Sequence, residues 1–288
     1  MSRYRSRADH YRSRQGLPTR PRRRRFGNVR LMIAGGMALF ALVSYLSKGK
    51  VNPMTGNKQY IGMTEDQEIA MGLQALPQMI EQFGGDHPDP KAQELVDQIG
   101  NVLVQKSTVK ETDWAFDFHL LADPDTVNAF ALPGGQVFIT YALFSKLETP
   151  GQLAGVLGHE IGHVVARHGA QRMAKQNLTQ GLIGSVLMGT GSHQSAHIAK
   201  AIGNMVNMKY GRGDELESDS LGIKLMSDAG YNPHALKGVM KILAQSAGGG
   251  ARQAEFFSTH PNPENRIEKI NAGIDQAFPN GLPENLID

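Results

Sequence analysis

Residues 149–165 read TPGQLAGVLGHEIGHVV, and this stretch decides the fold of the chain. Thr149 followed by Pro150 reads as a helix N-cap and first helical position, with Gln152 completing a capping-box pattern. The helix that follows carries Leu153, Val156, Leu157, Ile161 and Val164 around His159, Glu160 and His163. So apolar a helix is a buried one. Two imidazoles and a carboxylate inside it are costly unless something polar or charged meets them. His159 and His163 are four residues apart and share one helix face. That spacing allows both rings to bind a single Zn²⁺ at about 2.1 Å. Glu160 follows the first ligand and can reach an attacking water as general base. The same pattern arises by chance on solvated helices, but the apolar flanks argue against that here.

The chain has no cysteine, so any metal must be held by His, Asp or Glu. Zinc at a hydrolytic site takes three protein ligands and leaves one position open. Residues 212–219, RGDELESD, offer the third. Glu215 and Asp219 share a helix face. Glu215 suits the metal, and Asp219 suits the second N–H of a ligand histidine. Glu217 is expected to point to solvent. Two histidines and a carboxylate could also hold Fe(II), but the Glu directly after the first His favours hydrolysis. One Zn²⁺ per chain is therefore expected. Oxyanion donors could come from His260, Tyr210, Tyr231 or Arg266. His260 reads equally as a catalytic histidine and as a surface or capping one. His168, five residues past His163, is rotated off the ligand face and reads as structural.

Working outward, charge is unevenly placed. Residues 1–30 carry eleven arginines against one acid, Asp9, a net +10; residues 51–288 carry 17 Lys+Arg against 26 Asp+Glu, a net −9. The stretch from Leu31 to Leu46 has no charge. It is short for a bilayer core of about 30 Å, but Phe26 and Val29 can extend it while Arg30 snorkels. No small-x-small cleavage site stands out before Lys48, so an uncleaved anchor is favoured over a signal peptide. The positive flank places the arm in the cytoplasm and the body across the membrane. An Arg- and Ser-rich start also suits a mitochondrial origin. No nucleic-acid partner is expected. The partition that follows is a basic arm (1–30), an anchor (31–47), a polar linker (48–60) and a catalytic domain (61–288).

In the body, helices are expected from Thr64 towards Gln82 and from Lys91 to Lys106, with strands over 114–121 and 136–140 joined through a Pro133-Gly134-Gly135 turn. Gly248-Gly249-Gly250 reads as a flexible loop, not a phosphate cradle. The methionine-rich stretch 171–209 reads either as core packing or as a mobile cover over the cleft. The fold class is α+β, mostly helical, with a small mainly antiparallel sheet.

The ordered set NAFALPGGQVFIT (128–140), HEIGH (159–163), ELESD (215–219), AGYNP (229–233) and STHPNPENRI (258–267) resembles the HtpX and CAAX-prenyl-protease type of membrane-associated zinc metallopeptidases, in the gluzincin group. The single anchor is similar to the periplasmic BepA- and LoiP-like branch, or the mitochondrial inner-membrane branch, and no helical-repeat domain is expected to follow. Ser218 stands where the family often has Ala. The resemblance implies a zincin-like fold and zinc on His159, His163 and Glu215, with Glu160 catalytic. It implies a sheet edge near 136–140 that pairs with an extended substrate. It further implies ATP-independent cleavage of unfolded or misfolded envelope proteins. A membrane-tethered chaperone or scaffold with little turnover is the alternative.

Overall fold

In the computed structural model, residues 25–190, 210–247, 255–261 and 265–288 are described. The helix α5 (Pro150–Val165) runs through the middle and is buried along nearly its whole length. Thr149 caps it by accepting from the Gln152 N–H at 3.2 Å, and Pro150 occupies the first turn. The expected reciprocal bond goes elsewhere: Gln152 Oε1 accepts from the Glu148 N–H at 2.7 Å, one residue beyond the cap.

Before α5, the chain forms α1 (Arg25–Leu46), a hairpin of β1 (Gly49–Val51) and β2 (Lys58–Tyr60), then α2 (Glu65–Gln82) and α3 (Pro90–Gln105). Strands β3 (Asp117–Leu121), β4 (Ala129–Ala131) and β5 (Gln136–Thr140) follow, with a short α4 (Tyr141–Phe144). After α5 come α6 (His168–Thr190), α7 (Arg212–Asp228), α8 (Ala235–Ala247), a single turn α9 (Phe256–Thr259) and α10 (Arg266–Ala277). The start of α2 carries the capping box that Thr64 and Gln67 predict.

The sheet order is β3-β5-β4. Strand β5 pairs parallel with β3 and antiparallel with β4, so this sheet is mixed; the β1–β2 pair is antiparallel. The edge expected at 136–140 is in fact the sheet centre: β5 is paired on both sides, the outer side of β3 is bonded by Gln93 and His87, and the open edge belongs to β4. One face of the sheet stacks His119, Phe138 and Phe130 side by side, with ring centroids 4.8 and 4.7 Å apart, under Ala75 and Met79 of α2. The other face sends Phe118, Leu120, Val137 and Ile139 into the main core with α3, α5, α7 and α8. Gly134, at φ 92°, sits where a β-carbon would lie 2.4 Å from Ile69 Cα, so the Pro-Gly-Gly turn presses directly on α2.

Residues 48–60, expected as a linker, form the β1–β2 hairpin and are built into the domain. Asn52 Nδ2 donates to Val165 O at 2.8 Å, and Gln59 Nε2 donates to Ala166 O at 2.6 Å. These carbonyls are among those a helix end leaves without partners, so the hairpin caps the C-terminus of α5. Arg167 then takes a left-handed turn at φ 55°. Its guanidinium bonds Glu68 of α2 at 2.8 Å and the Met63 carbonyl at 2.8 Å.

Among the described residues one helix is long and apolar enough to cross a membrane, Asn28–Leu46, with mean hydropathy 1.8. It begins before the expected residue 31. Helix α6 packs along it. Of the stretch 171–209, residues 191–209 lie outside the described residues, as does the Gly248–Gly250 loop.

Glycines let α5 lie tight against its neighbours. A β-carbon at Gly162 would sit 3.0 Å from Ser218 O and 3.1 Å from Ser218 Cα of α7, and one at Gly158 would sit 3.5 Å from Gly222 Cα. Gly162→Val is expected to force the two helices apart and lower stability by about 1–3 kcal/mol. Gly213→Val, where nothing lies within 4 Å, is the control. Denaturant melts of both variants beside the parent check this.

Candidate metal centre

The α5–α7 contact sets His159, His163 and Glu215 facing one another in a water-poor interior. His159 Nε2 and His163 Nε2 are 3.1 Å apart. Glu215 Oε2 lies 3.5 Å from His159 Nε2, and Glu215 Oε1 lies 3.6 Å from His163 Nε2. All three side chains are buried. A tetrahedral centre with bonds of about 2.1 Å has ligand-to-ligand edges of about 3.4 Å, so the triangle has the size a metal needs.

The hydrogen bonding behind the rings points the same way. His159 Nδ1 lies 2.9 Å from Asp219 Oδ1, and Asp219 cannot donate as a carboxylate, so the ring proton sits on Nδ1. His163 Nδ1 lies 2.9 Å from His168 Nδ1, and His168 Nε2 lies 2.9 Å from Glu217 Oε2. The ionised Glu217 accepts, so His168 carries its proton on Nε2 and its Nδ1 accepts from His163. Both Nε2 atoms therefore turn inward and face each other, bridged by a proton on His159 when no metal is bound. A metal ion would take the place of that proton and use both lone pairs at once. Both Glu215 oxygens are buried without a hydrogen bond of proper geometry, and so are both oxygens of Glu160. Unpaired buried carboxylate oxygens are costly. The residues fit a metal.

Electrostatics agree. Burial lowers the His159 pKa, but Asp219 and Glu215 more than reverse this and carry it up to about 9, so the site draws positive charge. His163 is driven well below its ordinary value, first by burial and then by His159, His168 and His260. Burial acts to raise Glu215, yet the neighbouring His260 and His159 hold it below the usual carboxylate range. Glu160 is pushed up by burial, with His260 and His159 opposing.

The other candidate residues divide. His260 is fully buried, not a surface residue: its ring stacks on Phe256 at 4.3 Å, with Nδ1 3.2 Å from Glu215 Oε1 and Nε2 3.7 Å from Glu160 Oε1. It joins His159, His163 and Glu215 in a group whose ligand atoms lie within 4.8 Å of one another. Arg266 grips Asp219 through two 2.8 Å bonds and reaches Glu215 at 3.4 Å. Tyr210 stacks on His163 at 3.7 Å, with the Arg172 guanidinium 3.9 Å over its ring. Tyr231 is not in the site; it packs in the main core and bridges to Ile287. Glu217 is half-buried and bonded, not free in solvent, and Asn57 Nδ2 donates to its Oε1 at 2.6 Å. His168 touches a candidate ligand directly. A helix continued past Val165 would carry it away. The left-handed Arg167 reverses the chain and returns it, a turn that no local motif announces.

A small cavity of about 30 Å³ lies between β4 and His260, lined by Phe130, Ala131, Pro133, Gly169 and Tyr210 among others. The chain is 31% identical over 240 residues to a beta-barrel assembly-enhancing protease of Yersinia pestis, covering 79% of this chain and 48% of that one. The Escherichia coli protein of the same name is 31% identical over 226 residues, covering 74% of this chain and 45% of that one. The mitochondrial metalloendopeptidase OMA1 of Schizosaccharomyces pombe is 29% identical over 264 residues, 89% and 74% respectively. The chain thus spans about half the length of the two bacterial relatives and about three quarters of the yeast one. Residues 90–274, which include both helices of the metal centre, match Peptidase family M48, and the chain belongs to that family.

Proposed function

We propose that the protein is a zinc-dependent endopeptidase tethered by α1 that cleaves unfolded or damaged membrane and envelope proteins without ATP. The observation that carries this is the pair of opposed Nε2 atoms at 3.1 Å beside the unbonded carboxylates of Glu215 and Glu160. His159, His163 and Glu215 hold the ion, and Asp219 orients His159. Zinc bound there polarises the scissile carbonyl and acidifies the attacking water. Glu160 takes the proton of that water and passes it to the leaving amine. Burial pushes its carboxyl up, with His260 and His159 opposing, which makes it a stronger base than an exposed glutamate. His260 Nε2, across from Glu160, donates to the developing oxyanion.

An extended substrate pairs along the free edge of β4. Leu132 N donates to Gln136 O, and Thr140 N donates to Asn128 O. In an antiparallel ladder bonding alternates, so Ala129 and Ala131 turn their N–H and C=O groups away from β5. This edge adjoins the cavity beside His260.

The basic arm favours the cytoplasmic side and the acidic body the far side of the inner membrane, the arrangement proposed here; the mitochondrial inner membrane is the alternative suggested by the name of the yeast relative. Unfolded proteins are the partners, membrane lipid surrounds α1, and nucleic acid has no role.

The test is full-length chain in detergent, parent beside Glu160→Gln, with bound zinc and cleavage of an unfolded casein-like protein measured on the same samples. One zinc in both with cleavage by the parent alone is expected. Zinc in both and cleavage in neither would favour a tethered chaperone or scaffold; no zinc in either would remove the metal reading. His260→Ala is expected to keep zinc and lower kcat by about 10²–10³-fold, the usual cost of one oxyanion donor. Ala131→Pro deletes an outward N–H while sparing the ladder to β5. It should lower kcat/KM for protein substrates and leave zinc content and melting unchanged; steady-state kinetics on the two chains decides this.

A further inference from the structure

The second ligand histidine is not backed by a carboxylate directly, as His159 is. Behind His163 stands His168, fully buried, and behind His168 stands Glu217. Continuing outward, Asn57 in the turn between β1 and β2 donates to the second oxygen of Glu217 at 2.6 Å. Ser218 Oγ approaches His168 Nδ1 at 3.4 Å from the side. The chain of contacts runs from the metal centre to the hairpin that follows the anchor.

We propose that His168 and Glu217 form a positioning relay for His163, fixing its tautomer and ring orientation so that Nε2 stays unprotonated and aimed at the metal. The assignment of protons leaves little freedom. Glu217 Oε2 lies 2.9 Å from His168 Nε2 and its Oε1 accepts from Asn57 Nδ2, and as a carboxylate it only accepts. His168 therefore donates from Nε2 and accepts at Nδ1. His163 must then donate from Nδ1, which frees Nε2. The imidazole acts as an extension piece, letting a carboxylate on the far side of α7 do for His163 what Asp219 does for His159. Glu217 and Asp219 are two residues apart and point to opposite sides of α7, so one helix turn backs both ligand rings. Outer partners of ligand histidines raise ligand basicity and fix orientation, and their loss costs metal affinity. Asn57 completes the set by holding Glu217 in place from the hairpin, so a segment adjacent to the membrane anchor takes part in ordering a metal ligand.

This rests on the metal reading given above, and the experiment separates the two. Zinc affinity is measured by chelator competition on the full-length chain in detergent, alongside melting of the metal-free chain. The variants are His168→Leu, His168→Gln and Glu217→Gln. His168→Leu breaks the relay. His168→Gln keeps it in outline, since the amide oxygen can accept from His163 Nδ1 and the amide nitrogen can donate to Glu217. Expected are a zinc affinity lowered about 10–100-fold in His168→Leu, a smaller loss in Glu217→Gln, recovery in His168→Gln, and metal-free melting close to the parent. Parent-like zinc affinity in His168→Leu and Glu217→Gln would overturn the relay while leaving the metal reading intact. A loss of affinity matched by an equal loss of metal-free stability would mark His168 as a packing residue and also overturn it. A parent chain that takes up no zinc would overturn the metal reading, and the relay with it.

Discussion

Everything at the centre of this protein depends on how closely α5 and α7 approach. Gly162 faces Ser218 with too little room for a β-carbon, and Gly158 faces Gly222 with room for no more than one. Two helices separated by ordinary side chains sit 8–10 Å apart at their axes. Here backbone rests on backbone. Only that closeness allows Glu215 to come within 3.5 and 3.6 Å of the two Nε2 atoms. The small residues and the ligands interleave on adjacent faces of the same helix, so packing and chemistry are specified by one stretch of sequence. The remaining elements hold this pair in place. The sheet lies along one flank of α5, α8 seals another through Leu236 against Gly155, and the hairpin and Arg167 close its C-terminal end.

The site is also a study in matched charge. Three carboxylates, Glu160, Glu215 and Asp219, meet in a buried volume with Arg266 as a fixed cation. Arg266 turns its guanidinium to two of these carboxylates, Asp219 and Glu215. It clamps Asp219 from behind, which is why its placement as an oxyanion donor does not follow from the geometry. Of the four donors weighed from sequence, only His260 and Tyr210 stand over the ligand side.

Much of this was legible in the sequence because its determinants are local. Helical phase alone put His159 with His163 and Glu215 with Asp219, and Thr149-Pro150 marked the helix start. The outer partners were not legible, because they depend on turns and on neighbours distant in the chain. Extending α5 in phase carries His168 away from the site, yet the left-handed Arg167 ends that phase. Glu217 looked solvated because nothing in its vicinity shows that a hairpin 160 residues earlier in the chain lies over it. The polar composition of residues 48–60 suggested a linker. In the fold, that polarity is what caps carbonyls. The edge that the resemblance implies near 136–140 lies at β4 instead, because strand order is a property of the whole topology.

The burial of the centre has a kinetic consequence. His260 and Tyr210 cover the ligand side, and the cavity between them and β4 has room for about one water. On the function proposed above, an ion held by His159, His163 and Glu215 and a peptide reaching it would both pass this cover, the one that the described residues place over the ligand side. On that reading, metal release and substrate entry both wait on one displacement. Slow metal exchange in this protein would measure how rarely it is ready to cut.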